Sequence, residues 1–212
     1  MPSAQSKISK YVWLYIALIV AMMAVVKVST VETAMKAEHR LVTSALGQTS
    51  SDYVYSHAAD WYRTIAVDWE MHRTLENMFI PTDEERARSK GLEEFGNYLF
   101  KYMHERLEAF WRGLYMLFTR MWVLFLWLPF IPIVVFPAIN HGWQIRNIKR
   151  TNFDYASPTK HIYAVATIKA FLVILLTLIV APIPMTPLIY PAILMICGIL
   201  AAVSVANIQK RL

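Results

Sequence analysis

Paired cysteines are missing: Cys197 stands alone, inside an apolar run. No intrachain disulfide and no paired-thiol redox chemistry can form, which removes four-helix disulfide oxidoreductases from consideration. Equally missing are a glycine-rich phosphate loop, a G-x-S-x-G elbow and an H-E-x-x-H zinc motif. The sequence therefore names no catalytic residue, no metal ligand set and no cofactor, and a non-enzymatic protein is expected. Charge is scarce as well. Only 17% of residues are Asp, Glu, Lys or Arg, while 57% are hydrophobic, against roughly 25% charged in soluble domains. That composition belongs to an integral membrane protein. No Asp or Glu falls within any long apolar run, so an intramembrane proton relay would lack its carboxylate. Internal repeats and low-complexity segments are absent too.

The charge that is present is segregated. Residues 30–118 hold fourteen Asp or Glu against ten Lys or Arg, a net of −4 within a formal total of +6; the rest of the chain, with Asp154 as its one acid, carries +10. An acidic block between basic membrane flanks is the signature of positive-inside topology. It is not that of a DNA-reading face, and no direct, sequence-specific nucleic-acid contact is expected.

The direction of the chain is set between Met121 and Pro158. Nineteen uncharged residues, MWVLFLWLPFIPIVVFPAI, are followed by a basic segment with Arg146, Lys149 and Arg150. The first part approaches the ~20 residues that a helix needs to cross a hydrocarbon core, and the second marks its cytoplasmic end. Tyr11 to Val26 is a first span, opened by interfacial aromatics and read as an uncleaved anchor, since no convincing cleavage site follows. Ile162 to Val180 and Leu188 to Ala206 are the third and fourth, joined by Ala181–Pro187. The expected fold is all-α: four transmembrane helices with a helical periplasmic bundle between the first and second. By residue number this gives a cytoplasmic N-terminus and first span (1–29), the periplasmic block (30–118), the second span (119–140), a basic cytoplasmic loop (141–161), and the last two spans with a cytoplasmic C-terminus (162–212). A multi-pass protein of a bacterial inner membrane, both termini cytoplasmic, is implied.

Within the block, apolar positions recur at helical spacing over 31–46 and from Asp52 to Phe79. Gly47 is placed to end the first of these helices, and Ser50 and Ser51 to cap the second. Thr82-Asp83-Glu84-Glu85 is a capping box. The helix starting there continues into the span at Met121, with Pro129, Pro132 and Pro137 expected to kink it. Three amphipathic helices must cover one another, with Trp61, Ile65, Leu99 and Phe110 expected inside.

A few residues stand out chemically. Lys169 is an intramembrane charge, close enough to the cytoplasmic side to snorkel. Gly198, Ala202 and Ala206 form a small-xxx-small face suited to close helix packing, within the chain or against another protein. His72 with Glu76, and His104 with Glu108, are spaced one helical turn apart, a pattern commoner on solvated faces than at metals. In the basic segment, Arg146, Lys149 and Arg150 would share one helical face. Phe153 and Tyr155 follow before a turn at Ser157-Pro158, and together these form a candidate partner-binding site.

At this segment the chain resembles a known family. Gly142-Trp143-Gln144-Ile145-Arg146-Asn147-Ile148-Lys149-Arg150, then Phe153-Asp154-Tyr155-Ala156-Ser157-Pro158 and Tyr163, are similar to the TraJ-like inner-membrane proteins of integrating conjugative elements and conjugative plasmids. Those proteins share the layout of one span, a long loop and three spans. The resemblance covers roughly residues 121–165. It implies a non-enzymatic component of conjugative DNA transfer that assembles with the coupling ATPase of type IV secretion or with other conjugation membrane proteins, in addition to the lipid bilayer. A homo-oligomer is compatible with it. The competing reading is a four-span sensor or signal-relay protein whose periplasmic block binds a ligand. The short cytoplasmic segments, which leave no room for an output domain, favour the first.

The topology is checked by cysteines introduced at Ser50 and at Asn152. In intact spheroplasts a membrane-impermeant maleimide is expected to label the first and spare the second. Equal labelling, or labelling at Asn152 alone, overturns the layout.

Overall fold

The computed structural model describes residues 26–74, 93–152 and 154–208, with side chains from 101 onward in the third helix. Among these residues every regular element is helical. The elements are α1 (Val28–Leu46), α2 (Gln48–Tyr62), a π-helical turn (Arg63–Asp68), α3 (Glu93–Trp127), α4 (Phe130–Thr151), α5 (Pro158–Val180) and α6 (Ile189–Ala206). The expected first span and the capping box at Thr82 lie outside the described residues.

α1 buries Val31, Ala34, Glu38 and Val42, steps of three and four residues that make one face. Gly47 then takes φ of 81°, a conformation open to glycine, and donates its N–H to Thr43 O. The chain reverses immediately. Ser50 and Ser51 do not cap α2 as the sequence suggests, because Gly47 occupies the N-cap position and both serines fall inside the helix. Ser51 is fully buried and its hydroxyl bonds that of Thr43 across the hairpin at 2.9 Å.

The helix expected to run on from Asp52 is interrupted. At Arg63–Asp68 it widens to a π-turn, and Glu70 follows with φ of 52°. An inserted residue rotates the apolar stripe away from its former line, which leaves Val67 and Trp69 exposed. Trp61, Ile65 and Phe110 are half-buried, while Ala58, Ala66, Ala109 and Trp111 are enclosed. Small residues occupy the closest helix contacts, and the large rings lie around them: Trp61 meets Phe118, Trp122 and Phe125 with centroids 5.1–6.0 Å apart.

α3 is 35 residues long and passes without a break through residue 118, where the sequence suggests the membrane boundary. It ends at Trp127, and α4 leaves at 52° from its line. Of the three prolines expected to kink this stretch, Pro129 sits at the break, as the N-cap of α4, and Pro137 is carried within α4. α4 continues to Thr151, so the first half of the expected basic loop is helix. α5 opens with Ser157 as N-cap, accepting from Lys160 N–H, and Pro158 in the first turn.

α5 and α6 are each long and apolar enough to cross a membrane, and α3 with α4 qualifies as a third span if the bent pair is taken as one. Only 6% of the most apolar stretch of α5 is buried; a helix apolar all round with so little cover suits a lipid-facing position. α6 is the central helix, packed on both α4 and α5. α4 and α6 come into backbone contact at Gly142, where a Cβ would stand 2.5 Å from Ala202 O. One core cluster joins both parts of the molecule: Val42 and Val54 of the α1–α2 hairpin pack with Val123, Met185 and Tyr190.

Adding a methyl at Gly142 requires two backbones to part, and overpacking of this kind costs about 1–3 kcal/mol. Gly142→Ala is expected to lower the midpoint of thermal unfolding in detergent, followed by tryptophan fluorescence. Gly113→Ala is the control: its Cβ meets nothing within 4 Å, and helix propensity alone predicts a gain of up to about 1 kcal/mol.

Candidate functional site

Arg120 heads the fully buried side chains by size, at 1% exposure, in the first helical turn before the uncharged run of α3. Its Nε and Nη2 donate to the Glu38 carboxylate at 2.6–3.1 Å. Nη1 donates to the carbonyls of Leu178, Ile179 and Ala181, and Nη2 also to that of Ile183. These carbonyls need donors for a definable reason. The last four C=O groups of a helix have no partner inside it, and Pro182, Pro184 and Pro187 supply no N–H to the turn that follows. Arg120 thus closes the end of α5 from outside, and Tyr190 of α6 donates its hydroxyl to Arg120 O at 3.2 Å. Burial, reinforced by the Glu38 carboxylate, pushes the Tyr55 phenol above its usual range. It therefore stays neutral beside the pair.

Sequence reasoning missed this centre. Arg120 stands one residue before the uncharged run and reads as a flanking charge. Glu38 could have been found, since it is a carboxylate on the apolar stripe Val31–Ala34–Glu38–Val42.

A second polar centre lies where α4, α5 and α6 converge at their basic ends. Asn207 is 4% exposed. Its Oδ1 accepts from Lys149 Nζ at 3.0 Å and from Ser157 N–H at 3.3 Å, while its Nδ2 donates to Val203 O. His161 meets Ser204 through its Nδ1 at 2.9–3.0 Å. Next to this centre a cleft of about 560 Å³ runs between α4 and α6.

The residues singled out in the sequence are divided by this geometry. Lys149 turns toward α6. Arg150 is exposed, and Arg146 lies over the Trp143 ring at 5.4 Å with an enclosed Nε that finds no acceptor among the described residues. Tyr155 is 79% exposed, and Phe153 lies outside the described residues. Gly198, Ala202 and Ala206 line the cleft toward α4, and a Cβ at Gly198 would meet Val134 Cγ1 at 3.0 Å. Lys169 is exposed on α5, roughly 16 Å along the helix from Pro158. His72 and His104 line one cleft of about 320 Å³ with Glu108 and Arg112. Among the described residues no group of three or more His, Cys, Asp or Glu is placed to hold a metal.

Described residues that form only helices, two or three of them able to cross a membrane, with polar centres that hold helices together, are consistent with a membrane protein. Residues 24–212 match the profile of the DtrJ-like family, described as IncC plasmid conjugative DNA transfer protein DtrJ-like, and the chain belongs to that family. It is thereby a protein of conjugative DNA transfer. No curated protein and no solved structure matches it.

Removing one partner of a buried ion pair leaves an uncompensated charge, at a cost of about 3–5 kcal/mol. Glu38→Gln and Arg120→Met are each expected to lower folded yield in detergent sharply. The double variant Glu38→Leu/Arg120→Met is expected to recover part of the loss. A double variant no better than the worse single variant would show that capping the α5 carbonyls, more than charge pairing, is what Arg120 contributes.

Proposed function

We propose that this chain is a non-enzymatic, four-span inner-membrane component of the conjugative DNA-transfer apparatus, and that the cytoplasmic end of α4 docks the coupling ATPase. Membership of the family supports the setting, and the similarity of Gly142–Arg150 to TraJ-like proteins supports the partner. The observation that carries the docking site is Arg146, half-exposed over the Trp143 ring and without a carboxylate partner among the described residues. The outer nitrogens of a guanidinium so placed suit a carboxylate brought by another protein, since Arg pairs with carboxylates through two parallel hydrogen bonds. Arg150 follows one turn later, exposed, with Ile148 and Tyr155 exposed nearby. An interaction surface of this kind combines an arginine anchor with aromatic and aliphatic contact.

The sensor reading rests on a different feature, the extramembrane cleft lined by Tyr62, His72, His104 and Trp111. Its volume of about 320 Å³ lies at the lower end of the ~300–1,000 Å³ typical of small-molecule sites. With no output domain in the described cytoplasmic segments, it remains the second reading.

The test keeps charge and removes geometry. Arg146→Lys and Arg150→Lys preserve the positive-inside signal but not the planar fork. Transfer frequency is expected to fall at least tenfold, about 1.4 kcal/mol of lost contact, with abundance and topology unchanged. Full transfer in the double variant, and again after the order of residues 144–152 is scrambled at constant charge, would leave the segment a topological signal alone.

A further inference from the structure

We infer that the cleft between α4 and α6 is a binding site for an anionic phospholipid of the cytoplasmic leaflet. The site is separate from the arginine surface proposed above. The cleft has two unlike halves. Toward the middle of the bundle its walls are Val134 and Ala138 of α4 with Met195 and Ile199 of α6; toward the basic end they carry His141, Lys149 and Lys160. Among the described residues no carboxylate lines it. One half thus accepts a hydrocarbon chain and the other a phosphate, and a molecule with both parts is what this chemistry recognises.

Length agrees with this. From Val134 to Lys149 the wall extends about 22 Å at 1.5 Å per residue. Half a bilayer with its headgroups is also about 20–22 Å deep. The floor is the contact of α4 with Gly198 and Ala202, whose small side chains let Val134 and the backbone at Gly142 come close. Met195, Ile199 and Val203 are exposed along the opening, which admits a chain sideways from the hydrocarbon.

The headgroup end is built rather than incidental. Lys149 is held by Asn207, itself almost fully buried and fixed by Ser157 N–H and Val203 O. One of the three ammonium donors of Lys149 is used in this way, which leaves two for a ligand. Lys160 comes from the first turn of α5, and its side chain is exposed. The two ammonium groups therefore approach the cleft from different helices. A basic pocket between membrane helices on the cytoplasmic side is the arrangement that holds anionic headgroups. A second copy of this chain would bring no carboxylate into the membrane, since its long apolar runs contain none.

The experiment uses the full chain in nanodiscs of phosphatidylcholine alone or with one-fifth phosphatidylglycerol. Lipid retained after extraction is read by native mass spectrometry, and thermal unfolding by tryptophan fluorescence. Wild type is expected to retain phosphatidylglycerol selectively and to unfold at higher temperature in its presence. Lys160→Ala is expected to weaken retention about fivefold. The side chain of Lys160 is exposed, so its loss leaves the fold intact. Lys149→Ala adds a similar loss but also frees Asn207. Val203→Trp keeps both lysines and fills the cleft, and is expected to abolish retention. Lys101→Ala, exposed on α3 and outside the cleft, is expected to leave it unchanged.

Three results would overturn the site: equal retention of both lipids by wild type, unaltered selectivity in Lys160→Ala, or unaltered selectivity in Val203→Trp. A full thermal shift from inorganic phosphate in detergent would also overturn it, reducing the cleft to an anion contact. Failure here leaves ATPase docking standing, because Lys160→Ala and Val203→Trp lie outside residues 144–152 and the docking test reads transfer frequency, not lipid retention.

Discussion

One guanidinium holds the two parts of this protein together. Arg120 uses all of its N–H groups on partners from three separate stretches: the carboxylate of Glu38 on α1, the last carbonyls of α5, and the turn into α6. Only arginine offers five donors in a planar fork. A lysine could neutralise Glu38 but would leave several of those carbonyls without donors. In a bundle edge poor in water each such carbonyl is costly. The prolines that make the Ala181–Pro187 turn tight also make it short of donors, so turn and arginine depend on each other. The helical block before residue 119 is consequently fastened to the α5–α6 hairpin through a fixed point, and the shared core of Val42, Val54, Val123, Met185 and Tyr190 surrounds it.

Most of the helices were legible from periodicity and length alone. α5 and α6 fall within a few residues of the apolar runs at Ile162–Val180 and Leu188–Ala206, because a helix apolar on all sides leaves little else for the backbone to do. The end of α1 was legible at Gly47 for an equally local reason. The π-turn was not. Arg63–Asp68 contains no proline or glycine, so no residue signal marks the widening. The bend at Leu128–Pro129 was readable as a proline effect, but its 52° magnitude was not.

The candidate sites were harder to read, and the misses share a cause. Charge beside an apolar run has the pattern of a membrane flank, yet Lys149 is turned inward to Asn207, and Arg120, which carries no motif, is enclosed. Asn207 itself drew no attention, being a lone amide after the last apolar residues. What sequence could not supply was the pairing of segments far apart: 38 with 120, 149 with 207, 161 with 204. By contrast, Gly198 and Ala202 were recognisable from four-residue spacing, since small side chains have no other evident use on a membrane helix.

The basic end of α4 illustrates how one short charged segment can serve more than one purpose. A topological signal needs only net positive charge on one side of the membrane. It is indifferent to which face of a helix the charge occupies. Here the faces differ: Lys149 points to α6 and the cleft, while Arg150 faces solvent and Arg146 stacks, half-exposed, on Trp143. Because a helix advances 100° per residue, residues 146, 149 and 150 span one broad face, and α6 covers the edge of it that bears Lys149. Charge on the covered edge is shielded from bulk salt, whereas charge on the open edge is screened within a Debye length of about 8 Å. Ionic strength therefore separates the two: contacts made by Arg146 and Arg150 weaken as salt rises, and those of Lys149 within the cleft persist.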